Sequence, residues 1–263
     1  MKGLTLLAIL LLGVVILFSC SKSTSTNPDK ASIVVYLTDA PSSFDAVNIV
    51  VTQVSVHMAG NDSLSGWQTI SDTTANYDLL NLQNGANVLF ANHQLPAGQY
   101  TQIRLIIGNG SNVAINGVTY PLIIPSGMQT GIKLNHTFTI VKGEVYQLLL
   151  DFDAEKSIIQ TGMNQYKMNP VIRAVPLLLS GDIKGIVLPH NVSILTTSGS
   201  DTISVTEADT LTGFFRIMGL LAGSYNLKFT PQSILYADST IFNVSVTAGQ
   251  TTDLDTVALR QIP

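Results

Sequence analysis

From residue 32 to residue 259 the sequence is written in short runs in which apolar and polar residues alternate. Any fold of this chain must satisfy that period of two. Alternation sends successive side chains to opposite faces of a strand, one toward a core and one toward water. The clearest runs are 32–38, 46–58, 99–107 and 145–152, with shorter ones at 132–135, 138–141 and 171–178. Turn chemistry separates them: Gly60-Asn61-Asp62 and Ser65-Gly66 precede a run restarting at Trp67, and Gly108-Asn109-Gly110 closes another. Asn116-Gly117 lies between strands at 113–115 and 118–124. This dipeptide predicts a hairpin, because a type I′ turn needs positive φ at both central residues. Only residues 153–161 read as helix, for about two turns.

Ser180-Gly181-Asp182 marks a boundary. Beyond it, strands are expected at 183–188, 192–197, 202–206, 214–218, 225–229, 242–247 and 253–259, a spacing that suits a sandwich. An internal echo links the halves. Phe90, Leu95, Ala97, Gly98 and Tyr100 repeat with the same spacing as Phe215, Leu220, Ala222, Gly223 and Tyr225. The expected device is a strand, a tight turn and a return strand. Glycine would supply an angle that a Cβ resists, and tyrosine would hydrogen-bond back over the corner. The fold expected is all-β: two consecutive β-sandwich domains, at residues 31–178 and 180–263.

The N-terminus differs. Lys2 precedes an apolar run over residues 4–18, too short to span a bilayer comfortably and shaped like a signal peptide. It ends in Leu17-Phe18-Ser19-Cys20, which resembles the lipobox of bacterial lipoprotein signal peptides. Cys20 is the only cysteine, so it has no disulfide partner, and thioether lipidation accounts for it. Several acyl chains on one cysteine would anchor stably where a single chain would not. Residues 20–30 read as the lipidated cysteine and a polar linker. Ser21 resembles the outer-membrane sorting pattern. The expectation is a lipid-anchored protein of the cell envelope, in the outer membrane of a Gram-negative bacterium.

Removal of residues 1–19 leaves 12 basic residues against 17 acidic ones, a net of −5. That balance argues against nucleic acid as a partner. Charged residues make up only 11% of the chain, and without disulfides its stability rests on apolar packing.

Few patterns carry chemistry. His57, His93, His136 and His190 fall in no zinc-binding spacing, and there is no Gly-x-Ser-x-Gly elbow or phosphate-cradling glycine loop. Each histidine reads as a surface or turn residue, and the chain as a non-enzyme. Asp151, Asp153 and Glu155 alternate, which on a strand would turn all three to one face, with Asp39 in a second acidic motif. Hard oxygen ligands so gathered suit Ca²⁺, whereas a strand end with Asp153 as N-cap of the next helix needs no metal. No other cofactor is indicated. Asp followed by Ser or Thr and then an aliphatic residue or Thr recurs six times, at Ser63, Thr73, Thr202, Thr210, Ser239 and Thr256. The pattern resembles the acceptor of a general bacterial O-glycosylation system, although such dipeptides are also ordinary turn entries. Trp67, with Tyr77 and Tyr120, is a candidate sugar platform, with packing between two sheets as the alternative for Trp67.

Leu37-Thr38-Asp39-Ala40-Pro41, Phe44-Asp45-Ala46-Val47, residues 95–100, Leu150-Asp151-Phe152-Asp153 and Pro170-Val171-Ile172-Arg173 together resemble the bacterial lipoprotein family called domain of unknown function 4382. Residues 180–263 are similar to the carboxypeptidase regulatory-like, or transthyretin-like, sandwich. The similarity is carried by Gly181-x-Ile183-x-Gly185-x-Val187, Gly213-Phe214-Phe215, residues 219–225 and Val244-x-Val246-x-Ala248-Gly249. Here Thr212 replaces the usual Asp of Asp-Gly-Phe. Such domains are grouped with carbohydrate-binding-like folds. The absent catalytic pattern, the anchor, the tether and the sandwich resemblance together point to a binding or display module for a glycan or an envelope protein, with an adhesin-like assembly component as the alternative.

Overall fold

The computed structural model describes residues 31–125 and 130–263. The signal peptide, Cys20 and the linker lie outside the described residues. No helix among the described residues is long and apolar enough to cross a membrane.

The first sandwich opens with β1 (Ala31–Asp39), β2 (Ala46–Met58), β3 (Trp67–Ser71), β4 (Ala75–Asp78), β5 (Val88–Leu95) and β6 (Gly98–Ile107). It continues with β7 (Asn112–Ile115), β8 (Val118–Ile123), β9 (Ile132–Ile140), β10 (Val145–Phe152), α1 (Ala154–Ser157), β11 (Ile158–Gly162), β12 (Gln165–Met168) and β13 (Ile172–Pro176). One sheet has the order β13-β10-β1-β5. The other runs β11-β12-β8-β7-β2-β6-β9, with β3 and β4 also on β2. Ile33, Val35, Leu37, Val47, Ile49, Ile103, Leu105, Leu148 and Leu150 meet between them, each at most 1% exposed.

A one-turn 3-10 segment, Leu177–Leu179, leads into the second sandwich. Its strands are β14 (Ser180–Leu188), β15 (Val192–Ser198), β16 (Asp201–Glu207), β17 (Phe214–Leu221), β18 (Gly223–Pro231), β19 (Ser239–Val246) and β20 (Thr251–Ala258). They form sheets β17-β14-β20 and β16-β15-β18-β19 around Ile183, Ile194, Phe215, Leu227 and Phe229.

The two sandwiches share one topology. The first strand of each pairs antiparallel with the strand before the repeated corner and parallel with the last strand of the common core: β1 with β5 and β10, β14 with β17 and β20. In the facing sheets β2-β6-β9 corresponds to β15-β18-β19. The echo sits at the equivalent corner of both. It is not a hairpin, because β5 and β6, like β17 and β18, lie in opposite sheets. The five shared residues carry the chain across the core. Tyr100 donates its hydroxyl to the Pro96 carbonyl at 2.9 Å and Tyr225 to that of Leu221 at 2.7 Å, four residues back in each case. Gly98 has φ 151°, which excludes most other residues, whereas Gly223 is not among the positive-φ glycines. Tyr100→Phe and Tyr225→Phe are each expected to cost about 1 kcal/mol, read as a lower urea midpoint, because each strands a carbonyl at the corner.

Alternation located most strands, and Asn116 and Gly117 have φ of 50° and 75°, as the hairpin requires. Two expectations fail. The runs at 132–135 and 138–141 are one strand, β9, whose register to β6 shifts between Tyr100 and Gln102, so that His136 and Thr137 are absorbed opposite Thr101 without a break. The two-turn helix is a single turn, α1. The Ser157 carbonyl accepts from Asn169 N and its hydroxyl from Val171 N, and the β-branched Ile158 and Ile159 pass directly into β11.

Candidate functional site

Thr38 pairs with Asp151 and Asp39 with Phe152 in the parallel β1–β10 ladder, so the two acidic motifs end side by side. The strand leaves the ladder after Phe152. Asp153 is the N-cap of α1, accepting from Lys156 N at 2.9 Å and pairing with the Lys156 ammonium at 2.7 Å. The alternation expected to align Asp151, Asp153 and Glu155 therefore breaks at Asp153.

Each carboxylate has its own partners. Asp151 accepts from Arg173 Nη2 at 2.6 Å and Nε at 3.2 Å. Glu155 reaches back to Ser43, accepting its backbone N–H at 2.7 Å and contacting its hydroxyl. Asp39, 4% exposed, accepts from Ala154 N at 3.0 Å and Gln83 Nε2 at 3.4 Å. Burial pushes the Asp39 carboxyl up to about 8, with Asp151 and Asp153 adding repulsion, against the lowering effect of its hydrogen bonds. Burial also raises Asp151 above the usual carboxylate range, although Arg173 pulls it down. Among the described residues no three His, Cys, Asp or Glu side chains gather as a metal-holding group. The four acids expected as Ca²⁺ ligands thus converge on one end of the sheet but point to separate partners.

What they build is a junction. Thr38 Oγ1 shares its proton between the carbonyls of Leu82 and Ala86, 2.8 and 2.7 Å away, and so fixes the loop bearing Asn84. Asn84 then pairs its side-chain amide with the outer edge of β17. It accepts from Arg216 N at 2.7 Å and donates to the Phe214 carbonyl at 3.0 Å, standing in for a neighbouring strand. A Cβ on Gly85 would lie 2.7 Å from Arg216 Cδ, so only glycine lets the two sandwiches approach here. Arg173 crosses the junction too, donating Nη1 to the Gly219 carbonyl at 2.8 Å. Asn84→Ala is expected to remove about 1–2 kcal/mol of coupling between the sandwiches. Differential scanning calorimetry checks this: one transition should split or broaden, with β17 becoming open to protease.

Between these contacts runs a groove. One part, of about 370 Å³, is lined by Ala40, Pro41, Ser43, Lys156, Val205 and Glu207. A second part, of about 190 Å³, adds Asp151, Arg173 and Thr202–Val205. Sequence reading named Asp39, Asp151 and Asp153 and quoted the motif holding Arg173, but missed Asn84, Gln83, Lys156 and the wall from β16. Asn84-Gly85 was a readable turn signal; the β16 contact had none.

The remaining candidates are scattered. Ser63, Thr73, Thr202, Thr210 and Thr256 are exposed and Ser239 is half-buried. Asp62 and Asp209 cap their own turns, accepting from Leu64 and Ser65 N, and from Leu211 and Thr212 N. Trp67, Tyr77 and Tyr120 form no common platform: Tyr77 packs on Phe90, Tyr120 on Tyr166 and Trp67 on His57. Trp67 lies outside the core between the sheets, half-covered on the outer face. His57 is buried rather than superficial, 7% exposed, with Nε2 2.8 Å from the Asp62 carbonyl.

Fold and junction define a tandem β-sandwich protein in which the second sandwich completes a groove begun by the first. The chain belongs to the family described as domain of unknown function (DUF4382), whose model matches residues 30–170. No curated protein matches. Among solved structures, the chain is similar to the Bacillus anthracis TIE protein (11% identity, TM-score 0.25), covering 88% of this chain but only 35% of that one. It is similar to the minor pilin GBS52 of Streptococcus agalactiae (12% identity, TM-score 0.25; 88% and 96% covered). A third is the shaft pilin SpaA of Lactobacillus rhamnosus GG (8% identity, TM-score 0.24; 89% and 99% covered).

Proposed function

We propose that this chain is a non-enzymatic lipoprotein of the cell envelope, anchored through Cys20 in an outer membrane. Its locked pair of sandwiches serves as a binding or display module, with the junction groove as its binding site. The second sandwich is read as a carboxypeptidase regulatory-like domain. One observation carries this reading: the acids of the family motifs, with the neighbouring Glu155, are taken up in shaping the groove. Asp39 holds Ala154 N, Asp151 holds Arg173, Asp153 caps α1 and Glu155 holds Ser43, which leaves an open, mainly apolar wall of Ala40, Pro41 and Val205 with Lys156 and Glu207 at its rim. Such a lining suits recognition better than proton transfer.

The mature chain with Cys20→Ser, applied to a glycan array and to cross-linking in envelope extracts, tests the reading. A ligand or stoichiometric protein neighbour lost on Val205→Arg supports it, and capture unaffected by that change removes the groove. Mass spectrometry of the native protein tests the anchor and the six Asp-Ser/Thr sites together. An unmodified Cys20 rejects the lipoprotein assignment, and a bare polypeptide mass rejects glycosylation.

A further inference from the structure

We propose that the outer face of the first sandwich around Trp67 binds the carboxylate group of an acidic saccharide. Two rows of side chains cross this face. Trp67, His57, Gln102 and Asn135 are register partners on β3, β2, β6 and β9, and two residues along, Thr69, Ser55, Arg104 and Lys133 form the next row. Arg104 and Lys133 are thus directly opposed on an antiparallel pair, where like charges repel. Neither forms an ion pair with a carboxylate among the described residues. Both cations lean on the one tryptophan of the chain, the Arg104 guanidinium carbon 4.2 Å and the Lys133 ammonium 5.7 Å from its ring centroid.

The polar accounting beneath them is incomplete. Arg104 Nε is buried without a hydrogen-bond partner, and so is the hydroxyl of Ser55, its cross-strand neighbour, which is 0% exposed. Buried donors are normally satisfied, and a guanidinium offers a fork that fits a planar oxyanion. On a chain with a surplus of acids, two uncompensated cations over an indole form a local attractor for one anionic group. The neighbouring groups point to a sugar as its carrier. Gln53 donates to Thr69 at 2.6 Å and Gln102 to Asn135 at 2.9 Å, so a flat row of amides and hydroxyls flanks the cations. Such groups exchange hydrogen bonds with ring hydroxyls, which a bare phosphate lacks. The site is separate from the junction groove and stands independently of it.

Because Trp67 is the only tryptophan, its fluorescence reports on this site directly. The mature chain with Cys20→Ser would be titrated with oligogalacturonate, its neutral methyl ester and inorganic sulfate. Saturable change with oligogalacturonate is expected, weakened by salt, with the Kd raised about 10-fold in Arg104→Gln and about 3-fold in Lys133→Gln. Lys133 is exposed, so its substitution leaves the packing intact and decides the matter even where Arg104→Gln does not fold. The proposal is overturned by no response, by an equal response to the ester, by a response equal to that of sulfate alone, or by binding unchanged in Lys133→Gln.

Discussion

Replacement of Arg173 by Met is expected to lower the stability of the protein by about 3 kcal/mol, the cost of leaving a buried charge without its partner. Asp151 retains only 15% exposure of its side chain and receives two hydrogen bonds from Arg173. With the guanidinium gone, desolvation keeps acting on the carboxylate while the opposing attraction vanishes. The same substitution removes the bond to Gly219 and loosens the second sandwich. The urea midpoint of the variant should fall, and part of the loss should return in Asp151→Asn/Arg173→Met, where no buried charge remains. If the single and double variants unfold at the same midpoint as the parent, the pair has no structural role.

The second large effect is a pH dependence set by Asp39. Its folded-state value of about 8 lies above the ordinary 3.8, so the folded protein keeps a proton that the unfolded chain gives up. This contribution is fully present below about pH 4 and is lost as pH rises toward about 8, beyond which the curve flattens. Asparagine imitates the protonated acid: its oxygen still accepts from Ala154 N, and Gln83 can turn its own oxygen toward the new amide. Asp39→Asn should therefore match the parent at acid pH and exceed it by on the order of 3 kcal/mol above about pH 8, where the parent must ionise a buried acid that the variant lacks. Urea midpoints at about pH 4.5 and 8.5 decide it, and parallel curves would place the proton elsewhere.

Much of the fold was legible because a strand announces itself through a local period. Residues 46–58 show it at full length: the run coincides with β2, although its ladder with β6 carries two irregularities, since alternation resumes beyond the first of them. Where local signals compete, reading failed. His136-Thr137 interrupts the alternation between two runs but is held extended against β6, and the Asp153 cap starts a helix that the sheet ends after one turn. The site was half legible for a related reason. Acidic motifs are visible as letters, but whether Asp151 faces Glu155 or Arg173 depends on where the strand stops. Asn84 touching β17, and Arg104 facing Lys133, are facts of register between distant segments, and no spacing along the chain encodes them.

The parallel ladder of β1 and β10 also gives the molecule a direction. The chain enters the first sandwich at Ala31, and the groove opens beside Asp39 at the far end of the same strand. Eight steps of roughly 3.3 Å put about 26 Å between the two points. A contact made beside Ala31 and a ligand seated beside Asp39 would thus sit at opposite ends of one strand, too far apart to compete for the same side chains.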